Sequence, residues 1–239
     1  MDWRAHMAVA DFLGTPFSNP VNKMKGYTKP FSLILAVLIL DQVIKFWVKL
    51  NMTLGQEFKI LGNRGLIHFT ENNGMAFGME FGGEGGKLAL SIFRILAVLG
   101  IGYGLIYMIK RKYHRGLIMC VALIFAGALG NIIDSTFYGL IFSESTWYDK
   151  AQFLPASGGY STLFHGKVVD MFYFPLLQGT FPTWSPIWPK EEFIFFRPVF
   201  NLADSAISVG VIIILIFQKR YFKEEVQEPA SYHSEVIEE

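Results

Sequence analysis

Four blocks of the chain are apolar for long enough to cross a hydrocarbon core of about 30 Å, which takes roughly 20 helical residues. They cover about 31–50, 87–109, 116–137 and 198–217. Pro198 suits a helix start, where its missing N–H costs nothing. The pattern predicts an all-α membrane protein with four transmembrane helices and no internal repeat. The first block stands too far from the N-terminus, and is too polar at Asp41 and Lys45, to be a simple cleaved leader. Residues 1–29 form an N-terminal extension. Its first 23 residues lack an apolar period and read as a leader, an upstream extension of a chain starting at Met24, or an expression scar. The four-span domain covers 30–220, and the acidic, polar tail 221–239 is expected to be disordered.

Basic residues orient these spans. Lys23, Lys25 and Lys29 precede the first, Lys110, Arg111, Lys112, His114 and Arg115 join the second to the third, and Lys219, Arg220 and Lys223 follow the fourth. Short segments rich in Lys and Arg stay cytoplasmic, so both termini are expected inside, with 51–86 and 138–197 facing outward. Composition agrees: 52% of the 239 residues are hydrophobic and only 17% charged, against roughly 25% in soluble domains. The net charge of +1 removes the electrostatic case for nucleic acid. A single cysteine, Cys120, excludes an intramolecular disulfide and a cysteine-based metal site.

Ionisable residues in a span cost about 2.5–3.5 kcal/mol each on insertion scales, so each needs a partner or a use. Asp41 and Lys45 sit at i and i+4 in the first span, Arg94 in the second, Asn131 and Asp134 near the end of the third, and Asn201 and Asp204 in the fourth. With the orientation above, Asp41 lies about 15 Å from the inner end of its helix, and the others lie nearer the outer surface. Agreement in depth among residues from four spans points to one shared site just below that surface. Outside the spans, Glu71, Asn72, Asn73 and Gly74 precede small and aromatic residues, and Asp170 stands in an apolar run where its pKa should rise unless donors compensate. Each feature also has a structural reading. Asp41 and Lys45 could neutralise each other, Arg94 could snorkel, Asn131 could join helices, and Asp134 could serve a helix-end donor. Asp204 is hardest to dismiss, because Asn201 and Asp204 share a face at i and i+3.

Elimination narrows the chemistry. There is no H-E-x-x-H, and only His68 and His165 lie outside, too few for a three-His metal site. No G-x-S-x-G elbow occurs, and Cys120 has no His partner in its span. Carboxylates remain, and a close pair sharing a proton can activate water and protonate a leaving amine.

Five motifs occur in order: Asp41-x-x-x-Lys45; Glu71 to Gly78, ENNGMAFG; Gly127 to Asp134, GALGNIID; Val168-Val169-Asp170; and Phe200 to Ile207, FNLADSAI. Together, over about residues 30–220, they resemble the motif set of lipoprotein signal peptidase, or signal peptidase II. The resemblance implies a four-helix membrane aspartic endopeptidase with a small extracytoplasmic β-sheet and a short periplasmic helix. It implies removal of the signal peptide from bacterial prolipoproteins on the N-terminal side of a diacylglyceryl-modified cysteine, in the inner membrane and near its outer face. By the same resemblance Asp170 and Asp204 are the catalytic pair, Asn131 and Asn201 line the site, Asn73 with Gly74 matches the outer-loop motif, and Asp41, Lys45 and Asp134 support it. No metal and no organic cofactor are implied. The expected partners are a lipid-modified prolipoprotein and membrane lipids, and a monomer is expected. The chain departs from the family in having Ser135 where Arg usually follows the third-motif Asp, so Arg94 or Arg197 would have to supply that cation, Arg197 being the better candidate at the outer rim beside Asp204. The long aromatic inserts 138–163 and 176–197 look like those of Bacteroidota-type members, with Trp147, Trp184 and Trp188 suited to an interface.

Two other classes compete. A small proton-coupled transporter would use intramembrane Asp and Lys as a relay, but it predicts ionisable groups through the full membrane depth, and the inner half shows none. A non-enzymatic assembly protein would use the polar pairs only to fix helix packing.

Overall fold

The computed structural model describes residues 20–222, apart from 63, 73–82, 176, 181–182, 185–191 and 196–197. Its long helices are α1 (Pro20–Asn51), α2 (Gly83–Lys110), α3 (Arg115–Ile133) and α4 (Leu202–Tyr221). All four are long and apolar enough to cross a membrane. Their patterning is inverted relative to a soluble bundle. In α1, Phe31, Leu35, Ile39, Val43 and Trp47 point outward, whereas Asp41, Lys45 and Lys49 are buried at successive i, i+4 positions. Lipid accepts the apolar face, and the polar groups must then find partners inside the bundle.

Small residues bring α3 and α4 together. A Cβ on Gly127 would lie 2.2 Å from the Ala203 carbonyl oxygen, and one on Gly210 would lie 2.8 Å from that of Cys120. Such contacts let backbones approach in a medium where apolar burial alone gives no drive to associate. Beyond Ile133 the third span continues through a π-helical turn, Asp134–Tyr138, and a last turn, Gly139–Ile141. The widened turn is held by the chain that returns from the insert: Gly166 N–H donates to the Ser135 carbonyl at 2.9 Å.

The fourth helix starts later than the Pro198 expectation. Val199 and Phe200 pair with Tyr173 and Phe172 as a strand, and Asn201 is the N-cap of α4. Sheet pairing thus holds the backbone extended up to the residue whose side chain begins the helix. Asn201 and Asp204 are consequently the two halves of a capping box rather than neighbours on a helix face.

At one end of the helices, β1 (Glu57–Lys59), β2 (Leu66–Asn72), β3 (Val168–Tyr173) and β6 (Val199–Phe200) form an antiparallel sheet in the order β1-β2-β3-β6. Strands β4 (Leu177–Thr180) and β5 (Glu192–Phe195) form a separate antiparallel pair. Segment 138–197 also holds a short helical turn, Gly139–Ile141, which continues the third span. Strand β2 is bulged: Ile67 pairs with Phe172 and Thr70 with Asp170, so His68 and Phe69 together oppose Met171. One face of β3, carrying Val169 and Met171, packs with Val48, Met52, Phe69, Tyr138 and Phe142 in the core beneath the sheet. The alternate face carries Asp170.

The helix contact is open to test. Gly127→Ala should cost about 1–3 kcal/mol, because the Ala203 backbone must move, and should lower the midpoint of thermal unfolding in detergent. Gly100→Ala, whose Cβ meets nothing within 4 Å, should not lower it.

Candidate functional site

The polar residues of all four helices converge at the foot of the sheet, starting from Lys45. Its ammonium, on a side chain with no exposed surface, lies 2.9 Å from Asp41, 2.8 Å from Asp134 and 2.9 Å from the Asn131 side-chain oxygen. Asp41 extends the cluster to α4, accepting the Ala203 N–H at 3.0 Å, where a carboxylate at a helix N-terminus is favourable. Asp134 accepts from Gln42 at 3.0 Å and from the Val169 N–H at 3.4 Å, which ties α1 and the π-turn to β3. The two carboxylates of this cluster therefore have a cation and backbone or amide donors between them, as buried charges require.

Asn131 and Asn201 carry the network to Asp170 and Asp204. Asn131 donates to Asp204 Oδ1 at 2.8 Å. Asp204 Oδ2 accepts the Asn201 N–H at 3.2 Å, the reciprocal half of the capping box. The Asn201 amide donates to Asp170 Oδ1 at 2.7 Å, to Asn131 at 3.0 Å and to the Val169 carbonyl at 3.3 Å. Asn72 at the end of β2 donates to the other oxygen of Asp170. Each of the two aspartates thus has donors on both oxygens, and they are linked through Asn131 and Asn201. Burial, then the charge of Asp204, pushes the Asp170 pKa up to about 7, while the Asn201 and Asn72 amides act in the opposite direction.

Of the sequence-predicted residues, Asp41, Lys45, Asn131, Asp134, Asp170, Asn201 and Asp204 come together here. Asn73, Gly74 and Arg197 lie outside the described residues. Ser135 is buried and donates to the Asn131 carbonyl at 3.0 Å, and Gly166 covers its own carbonyl. Arg94 of α2 interacts electrostatically with both Asp204 and Asp170. One turn earlier on the same helix, Ser91 donates to the Phe164 carbonyl at 3.1 Å, turning this face of α2 toward the site. Asn72 was named in the sequence reading but passed over for Asn73, while Gln42 and Lys49 escaped it. Lys49 was signalled by continuing the Asp41–Lys45 spacing for one more turn.

A model of signal peptidase II matches residues 33–219. The chain belongs to the signal peptidase II family. Proteins named lipoprotein signal peptidase are among its relatives. One from Porphyromonas gingivalis is 52% identical over 190 residues, 79% of this chain and 82% of that protein. Another, from Amoebophilus asiaticus, is 36% identical over 206 residues, 85% of this chain and 83% of the relative. A solved bacterial membrane enzyme superposes with a TM-score of 0.52 at 24% identity, covering 84% of this chain and 94% of its own, and this likeness concerns the fold. As a signal peptidase II the chain is an aspartic peptidase and a multi-pass bacterial membrane protein.

For this signal peptidase the Lys45 cluster yields a stability prediction. Lys45→Met leaves Asp41 and Asp134 without their cation and should cost about 3–5 kcal/mol, read as a lower unfolding midpoint in detergent. Asp41→Asn retains an acceptor for the Ala203 N–H and should cost less.

Proposed function

We propose that the chain cleaves lipid-modified prolipoproteins on the N-terminal side of the diacylglyceryl cysteine, using Asp170 and Asp204 as its catalytic pair. The observation that carries this assignment is the link between the two aspartates: one from a strand, one from a helix start, joined through Asn131 and Asn201. Asp204 sits in the first turn of α4, where its carboxylate accepts the Asn201 N–H at the helix N-terminus. Asp170, pushed up to about 7 mainly by burial, retains the proton. Asp204 then takes a proton from water as the oxygen attacks the scissile carbonyl, and Asp170 donates to the carbonyl oxygen. Collapse of the tetrahedral species passes a proton to the leaving amine, so one water is consumed for each peptide bond broken.

Arg94 supplies the cation that Ser135 does not. Its interaction with both carboxylates supports a role in holding the charge of the pair and the substrate carbonyl beside it. The apolar outer faces of the helices leave the substrate's acyl chains in the bilayer while the peptide reaches the sheet. The basic clusters support termini on the cytoplasmic side, which puts the site near the outer face of the inner membrane. The enzyme works as a monomer among membrane lipids, without metal or organic cofactor.

Asp170→Asn and Asp204→Asn should each abolish cleavage of a lipid-modified precursor peptide while the purified protein still inserts and melts cooperatively. Near-normal turnover by either variant would sink the assignment. The rate should also report the proton on Asp170. Because its folded pKa is raised, the active acid form is present below about 7 and lost above it, so kcat/KM measured against pH should fall on the alkaline side of about 7. A profile flat from pH 6 to 9 would remove Asp170 as the acid.

A further inference from the structure

A second buried ion pair lies on the opposite face of the sheet from Asp170. Lys49, one turn beyond Lys45 on α1, has no exposed side-chain surface and pairs with Glu71 of β2, whose side chain is 3% exposed. Its ammonium also lies 2.9 Å from the Ser145 hydroxyl, which itself donates to Glu71 at 2.9 Å. The same ammonium stands over the rings of Phe142 and Tyr160, at 5.3 and 5.1 Å from their centroids. Lys167 reaches the other Glu71 oxygen at 3.8 Å, and its backbone N–H donates to the Tyr160 hydroxyl at 2.7 Å. One carboxylate thus joins the outer end of α1, β2 and the long insert.

Desolvating two charges for structural support alone is a poor use of them, since well-packed apolar side chains often stabilise as much. What an ion pair adds is direction. Among the described residues, Thr70, Glu71 and Asn72 follow the bulge at His68 and Phe69 in the β2–β3 ladder. Within this segment Glu71 opposes Val169 on the core face. Asn72 opposes Val168, which places it diagonal to Asp170 on the other face, and it donates to that carboxylate. A strand end cannot rotate or slip without moving both faces together.

We propose that the Lys49–Glu71 pair, with Ser145 from the insert, is a positioning device that holds Asn72 on Asp170, and that bracing this pair is what the insert does for the reaction. The inference rests on the assignment of Asp170 to the catalytic pair. Glu71 acts through Asn72 and touches neither reacting group. The charged groups facing Asp170 are Asp204 from α4, Lys45 from α1 and Arg94 from α2, while Asp134 of the π-turn holds the neighbouring Val169 N–H. Glu71 and Lys167 stand on the far side of β3.

The signs separate this device from a simple charge effect. Removing the negative charge of Glu71 would, through space, favour ionisation of Asp170 and move the alkaline limb of kcat/KM down. Releasing the Asn72 amide removes a donor to the ionised form and moves that limb up. The test uses the full chain in detergent with a lipid-modified precursor peptide, and compares Glu71→Gln, Asn72→Leu, their double variant and Lys49→Met/Glu71→Leu. Glu71→Gln should lower kcat about tenfold with little change in KM and shift the alkaline limb upward. The double variant with Asn72→Leu should be no slower than Asn72→Leu alone. Lys49→Met/Glu71→Leu, with its apolar replacement, should melt close to the parent yet stay slow. A pH profile superimposable on the parent's, a downward shift, or single effects that multiply in the double variant would each overturn the inference. Asp170→Asn is run alongside: if it turns over, the catalytic assignment fails; if it is inactive and Glu71→Gln is unaltered, only the positioning role fails.

Discussion

A primary ammonium deep in a membrane span organises this molecule. Lys45 cannot reach water, so its charge has to be met by side chains from other elements. Three oxygen-bearing groups meet it: one a turn below on its own helix, two on the third span. Each of these groups has a further acceptor site, and each uses it on a different part of the fold. Asp41 takes the start of α4, Asp134 takes β3, and Asn131 takes the Asn201 amide. The requirement to neutralise one cation is thereby converted into the relative placement of three helices and a strand.

Lipid solvation explains why polar contacts carry this task. Helices coated with leucine, isoleucine and phenylalanine gain little by meeting one another in hydrocarbon. The close approach of α3 to α4 at Gly127 and Gly210, and the hydrogen-bonded cluster beside it, provide directional terms that apolar packing does not. Above the membrane the balance reverses. Val48, Met52, Phe69, Phe142, Val169 and Met171 bury in an ordinary hydrophobic core under the sheet. Asp170 and Asp204 lie where the two regimes meet, on elements anchored by each.

Much of this was legible from residue order alone, and the reasons are specific. The spans follow from apolar length, and the convergence of Asp41, Lys45, Asn131, Asp134, Asn201 and Asp204 was expected from counting along helices whose directions were read from their basic flanks. The start of α4 was misplaced because Pro198 and a capping asparagine are both valid start signals, and only pairing of Val199 and Phe200 with β3 decides between them. Lys49 went unread because the partner that buries it comes from a strand 22 positions later. Asn72 could not be preferred to Asn73 because its facing depends on a bulge that leaves no mark in composition.

That bulge makes strand length a chemical variable. Leu66 and Phe69 are both buried, a spacing of three that an unbroken strand cannot satisfy on one face. The extra residue at His68–Phe69 resets the alternation so that Thr70 and Asn72 fall on the side of Asp170 and Glu71 on the side of the core. Gaining or losing one residue between Ile67 and Asn72 would exchange these two sets, presenting a glutamate to the aspartates and an amide to a buried lysine. In lineages that descend from this fold, the four residues between Ile67 and Asn72 therefore tolerate changes of type far more readily than changes of number.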